Sequence, residues 1–311
     1  MLALLATATG WSDVMVRHTL SFQFASFVPD EMRAQAEQQF KATMPTEMIV
    51  RIKGDKAYTS VGPAYAITDY GRREITLLNP KTKQYATIPL SEYGDRLAAI
   101  QKSPAVPAQA QQMLQSLRMD VQSKKTGQTG LIEGIRAEEN LIVVSMQMPS
   151  PQADASMLRM EMRCWLAQPD EIRRIAALKE LADYTAQGMK ALDLTAILQK
   201  GFAQTGVSSM RPFLDEIMKL GGNLMLKMQM GIHIPGMVQI LQLSRQAPAG
   251  LDPNAPVAEE QINVAEISTA PIPDSAFEVP ADYKAAAFED LAKAIIPTPP
   301  LAPAAAPKTD Q

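Results

Sequence analysis

Hydrophobic and polar residues alternate with period two over long stretches of this chain. In SMLRMEMRCWLAQPDE, residues 156–171, Leu158, Met160, Met162, Cys164 and Leu166 fall on one side, opposite Arg159, Glu161, Arg163 and Trp165. That is the pattern of a half-buried strand. The same alternation puts Val14, Val16, His18, Leu20, Phe22 and Phe24 on one face of a long first strand. It returns in VVSMQM, where Val144, Met146 and Met148 share a face, and in NLMLKMQM, where Leu224, Leu226, Met228 and Met230 do. Between residues 47 and 89 the runs EMIVRIKG, KAYTSVG, AYAITDY, REITLLN and KQYATIP are linked by Gly54-Asp55, Gly62-Pro63, Gly71-Arg72 and Asn79-Pro80. Short strands joined by tight turns predict an antiparallel meander, because parallel strands need long crossovers. Further strands are expected over 117–123, 131–135, 141–148 and 157–167, and in EEQINVAEIS.

Elsewhere the period becomes helical. Pro29-Asp30 opens a helix to about residue 43, with acids in its first turn as the helix dipole prefers. A second is expected over 91–102. In DEIRRIAALKELADYTAQGM, Ile172, Ile175, Leu178 and Leu181 share a face, and SSMRPFLDEIMKLGG aligns Met210, Phe213, Leu214, Ile217 and Met218. PGMVQILQLSRQ suits a short helix or a strand, and a last helix is expected over 285–296. The segment PTPPLAPAAAPKTDQ has little to bury and is expected to be disordered. Helices grouped between runs of strands mean an α+β fold, with one large curved antiparallel β-sheet covered by helices on its apolar face. The expected organisation is a single domain over 12–284 with a helical insertion at about 170–222, then a C-terminal helix over 285–296 and a disordered tail over 297–311.

Composition narrows the function classes. The chain has 311 residues, 46% hydrophobic and 20% charged, with a formal net charge of −3. It lacks the basic stripe with interleaved aromatics that nucleic acid would require, and no transmembrane segment is expected from its apolar runs. Cys164 is the single cysteine, so no intrachain disulfide can form. MLALLATATG carries an apolar run followed by Ala6-Thr7-Ala8, a small-x-small cleavage pattern. Residues 1–11 are accordingly expected to be the remnant of a signal peptide, and the mature protein to be exported, soluble and periplasmic.

Candidate chemistry is sparse. With two histidines and one cysteine, a His/Cys zinc site or a nucleophile–histidine pair is not expected. His18 reads as a hydrogen-bonded core residue, and His233, beside Lys227 and Gln229, as a solvated one. Glu138-Glu139, Asp215-Glu216 and Glu259-Glu260 read as turn or helix-surface charge. Gly127 and Gly130 in KTGQTG read as a hairpin turn, since a phosphate loop would need a lysine and a following helix. The chain is therefore expected to be no enzyme and to need no cofactor or metal.

Methionine is the exception in the composition, with 19 Met against 8 Phe, 7 Tyr and 2 Trp. Two readings stand. Methionine fills irregular gaps in ordinary cores, and it also lines apolar surfaces that re-pack around variable partners. On the second reading Leu158, Met160, Met162, Met146, Met148, Leu226, Met228 and Met230 form a concave face that binds flexible hydrocarbon.

VRHTLSFQF with its following helix, the meander IVRIKGDKAYTSVGPAYAITDYGRREITLLNPKTKQYATIP and the ending STAPIPDSAFEVPADYK resemble the uncharacterised periplasmic proteins related to the lipoprotein-localisation carriers LolA and LolB. The resemblance covers about residues 11–284 and implies an incomplete barrel around helices, with a lipid or lipoprotein acyl chain as partner. Carriers of this group hold an arginine inside the barrel that bonds to a lid. Here Arg51 lies near the corresponding strand, whereas Ala57 and Tyr58 stand where an arginine is expected, so no latch is assigned. The expected function is binding of acyl chains or another apolar ligand, with a structural or chaperone-like module contacting an envelope protein partner as the alternative.

Overall fold

The computed structural model describes residues 13–295 except 32, 35–36, 39–44, 62–63, 101–117, 148–155, 192–210, 221–222, 244–250 and 253. The expected export signal, Met148 and the Pro/Ala tail lie outside the described residues.

The strands are β1 (Val14–Phe24), β2 (Glu47–Lys53), β3 (Lys56–Val61), β4 (Ala64–Asp69), β5 (Glu74–Asn79), β6 (Gln84–Pro89), β7 (Arg118–Ile132), β8 (Ile135–Gln147), β9 (Ser156–Ala167), β10 (Met225–His233), β11 (Ala258–Ser268) and β12 (Lys284–Ala285). The helices are α1 (Leu90–Ile100), α2 (Pro169–Arg174), α3 (Ala176–Ala191), α4 (Arg211–Leu220), α5 (Pro235–Leu243) and α6 (Phe288–Ile295). Among the described residues twelve strands form one open sheet in the order β12-β6-β5-β4-β3-β2-β1-β11-β10-β9-β8-β7. Every ladder is antiparallel except the short β12–β6 pair. The fold is thus the α+β architecture expected from the alternation, with β1 near the middle joining the N-terminal meander to the C-terminal strands.

Turn chemistry explains the meander. Gly54 (φ 56°), Arg73 (φ 58°) and Lys83 (φ 52°) take the left-handed conformation that tight turns require. The Asn79 side chain accepts hydrogen bonds from the amides of Lys81 and Thr82 at 3.0 and 3.3 Å, an Asx turn. The β7–β8 hairpin corrects the sequence reading. KTGQTG is not its turn. The register slips between Lys125 and Thr129, and Gly127 (φ 78°) sits in the resulting bulge. The reversal comes at Glu133-Gly134, whose φ values of 48° and 75° match the twist of the flanking strands. Three separately expected strands are therefore two long ones.

Helices pack against the sheet in separate clusters. α1 and α6 close the β5–β6 end, where Ile75, Leu77, Ile88, Phe288 and Leu291 are buried together. α3 lies over the middle, burying Leu178 and Leu181 with Val14, Val16, Ile52, Leu226 and Val264. Together α2 and α3 also tie distant strands together. The Gln168 amide just before α2 bonds the Arg136 carbonyl on β8, while Tyr184 on α3 packs edge-on against Tyr70 after β4 at 5.7 Å. At about 4.8 Å per strand a flat sheet would separate β4 from β8 by roughly 34 Å, and α2 and α3, broken by the extended Ile175, span only about 26 Å between these contacts. The twisted sheet curls to bring the two ends together. On the opposite face, residues 269–283 cross the meander as a strap, burying Ile272 and Phe277 against Ile67 and Leu78. No helix among the described residues is long and apolar enough to cross a membrane.

Candidate functional site

The methionine face assembles where β8, β9 and β10 run side by side. The register sets Met162 between Ile142 and Met230, Met160 between Val144 and Ile232, and Cys164 between Asn140 and Met228. Cross-strand neighbours stand about 5 Å apart, so Met160, Met162, Met228 and Met230 form one patch. Met162 is 5% exposed, whereas Met160, Met228 and Met230 are only partly buried. Met146 and Leu158 pair with each other across β8 and β9 at the far end of the rows. Leu226 belongs elsewhere: at 1% exposure it packs in the cluster under α3.

Among the described residues α4 packs on the patch. α4 lays Phe213, Ile217 and Leu220 on it, the i, i+4 stripe of an amphipathic helix. Its polar side reaches the neighbouring edge strand, where the Ser123 hydroxyl donates to Glu216 at 2.6 Å. Glu216 also bonds Lys219 at 2.5 Å, and these bonds hold its carboxyl below the usual range. Met119 and Val121 on β7 join the patch. The alternation of Met119, Val121 and Ser123 in the sequence carries that signal.

The acidic pairs are corrected by the structure. Glu259-Glu260 is not turn or helix-surface charge but sits within β11. Glu260 faces Met230 on one side and Phe22 on the other, on the apolar face of the sheet. It is 9% exposed, and burial pushes its carboxyl above the usual range. Glu139, 2% exposed, lies within β8 on the opposite face, with Arg163 at 3.4 Å. Asp215-Glu216 lies on α4, as the sequence suggests.

His233 is not solvated. It is 8% exposed, and its Nδ1 lies 2.6 Å from the Asn254 carbonyl oxygen, so Nδ1 carries the proton in that bond. Its ring covers Gly231, where an added Cβ would lie 3.1 Å from Nε2, so glycine is what lets the ring close over the strand. His18 falls on the apolar face, where burial pushes its pKa down against a hydrogen bond with the Met48 backbone, and its Nδ1 has no partner. Burial pushes the Cys164 thiol up to about 11, far from a reactive thiolate. Among the described residues no group of His, Cys, Asp or Glu is placed to hold a metal ion.

Arg51 sits on the outer face, its guanidinium carbon 4.9 Å from the Tyr58 ring centroid, and does not point toward the helices. Among the described residues Arg51 makes no latch to the helices.

No family model matches the chain, and no curated protein does. Among solved structures, the Mycobacterium tuberculosis lipoprotein LppX is similar over 83% of this chain and 88% of its own, at 10% identity and a TM-score of 0.26. The two chains are alike in extent and weakly alike in backbone course.

Proposed function

We propose that the protein is a non-catalytic carrier that binds an acyl chain, or another flexible apolar ligand, between the methionine patch and α4. The observation that carries this reading is the half-buried state of Met160, Met228 and Met230 beside the short amphipathic helix α4. Side chains with three rotatable bonds in such a place can re-pack around a guest with little strain, and an amphipathic helix can yield its place to one. A role without catalysis is supported by the buried thiol of Cys164 and by His233, which is buried with its Nδ1 bonded to the Asn254 carbonyl. The carrier acts in the periplasm, a placement supported by the apolar N-terminal run and its cleavage pattern.

Native mass spectrometry of the protein purified from its own envelope tests the reading. A co-purified lipid mass that is lost in Met160→Trp and Met228→Trp supports it. An empty wild type that also fails to take up a fluorescent fatty acid refutes it. The second reading, a protein-interaction module, draws on β7, an edge strand of 15 residues whose outer backbone groups could pair with an extended segment. A stoichiometric protein partner in the same spectra would favour it.

A further inference from the structure

A second site lies on the outer face, remote from the methionine patch. Between β1, β2 and the strap there is a depression of about 400 Å³ lined by Met15, Arg51, Ser268, Ile272 and Ala276, among others. That volume is within the range of small-molecule pockets, roughly 300–1,000 Å³. The register explains its construction. Arg51 stands between Met15 on β1 and Tyr58 on β3, with its guanidinium stacked on the Tyr58 ring. The guanidinium also hydrogen-bonds the Tyr58 hydroxyl, and its five N–H donors exceed what that one bond uses.

The neighbouring cations are each compensated. Arg17 pairs with Glu47 at 3.5 Å and Glu266 at 3.2 Å. Lys53 pairs with Asp274 at 2.8 Å and lies 3.9 Å from Asp13. Among the described residues no carboxylate pairs with Arg51. The strap wall is also preformed, because Lys53 donates to the Ile272 carbonyl at 2.7 Å and the Ile272 amide donates to Asp13. A preformed wall lowers the ordering cost of binding.

We propose that this depression binds a small organic carboxylate with an apolar body. A carboxylate matches the planar fork of one guanidinium with two parallel hydrogen bonds, and its single charge is fully compensated by Arg51. A phosphate dianion would leave a second charge against Met15, Ile272 and Ala276. The apolar body lies along those side chains, and the Met15 methyl reports on it directly.

The test uses the full chain labelled with ¹³C at the methionine methyl groups, titrated with sodium octanoate, octylammonium and inorganic phosphate. Octanoate is expected to shift the Met15 methyl resonance saturably, and octylammonium and phosphate are not. Arg51→Gln should weaken octanoate binding by about tenfold or more through loss of the paired charge-assisted bonds, and Arg51→Lys by less. The wild-type comparison of octanoate with octylammonium decides the matter even where a variant folds poorly. An unmoved Met15 methyl, equal binding by Arg51→Gln, or equal response to octylammonium or phosphate overturns the proposal. The Met160 and Met228 methyls separate the two faces. Shifts confined to them refute this site and leave the acyl-chain reading standing.

Discussion

Replacing Met162 by alanine, and Met228 by alanine in parallel, tests whether the methionine patch is graded from sealed core to open surface. Met162 is 5% exposed and packs among Ile142, Val144, Cys164 and Leu166. The change removes the side chain beyond Cβ. At about 0.8 kcal/mol for each buried methylene-sized group the transfer loss is roughly 2–2.5 kcal/mol. The void adds about 1 kcal/mol or more where the surroundings do not relax. A total of roughly 3–4 kcal/mol is expected, falling toward 2 kcal/mol where α4 settles into the gap. Met228 lies two strand positions from Met230 and is already partly open, so fewer contacts are lost and about 1–2 kcal/mol is expected. Urea unfolding measures both, through the midpoint shift at unchanged slope. Equal costs at the two positions, or a cost at Met162 below about 1 kcal/mol, would refute the gradient and with it the picture of a guest entering beside α4.

Three further outcomes follow from the same geometry. Ser123→Ala removes the 2.6 Å bond to Glu216 and should loosen α4, costing roughly 0.5–1 kcal/mol at this exposed position, read as faster hydrogen exchange of the α4 amides. Glu260→Gln should stabilise the protein at neutral pH. Burial raises the native pKa of this carboxyl, so the native state holds its proton more tightly, and stability falls as pH rises from the unfolded-state pKa through the native one. Melting curves of wild type and variant should converge in acid below both pKa values, and a gap that persists there would contradict the assignment. Gly134→Ala forces a Cβ into a turn position with φ 75° and should cost about 1 kcal/mol in thermal unfolding, whereas an unchanged melting temperature would show that the hairpin reverses elsewhere.

Strand identity and facing were legible in the sequence because side chains alternate across a pleated sheet whatever the strand pairs with. The eleven residues of β1, the meander and the shared face of Met160, Met162, Met228 and Met230 follow from that rule alone. Even Glu260 was readable, since it alternates in phase with Ile262 and Val264, but two adjacent acids looked like surface charge. What only the tertiary structure decided depends on contacts distant in sequence. The Asn254 loop buries His233, and α4 covers the patch from a segment whose own periodicity marks an apolar face without naming its partner. Leu226 shares the alternation of Met228, yet the register shift between Met225 and Lys227 on β10 breaks the phase and leaves it in a different core. Arg51 likewise took its meaning from the crossing of the strap over β1 and β2. Local periodicity says which side of a strand is apolar, and the long-range register and the curl of the sheet decide what that side meets.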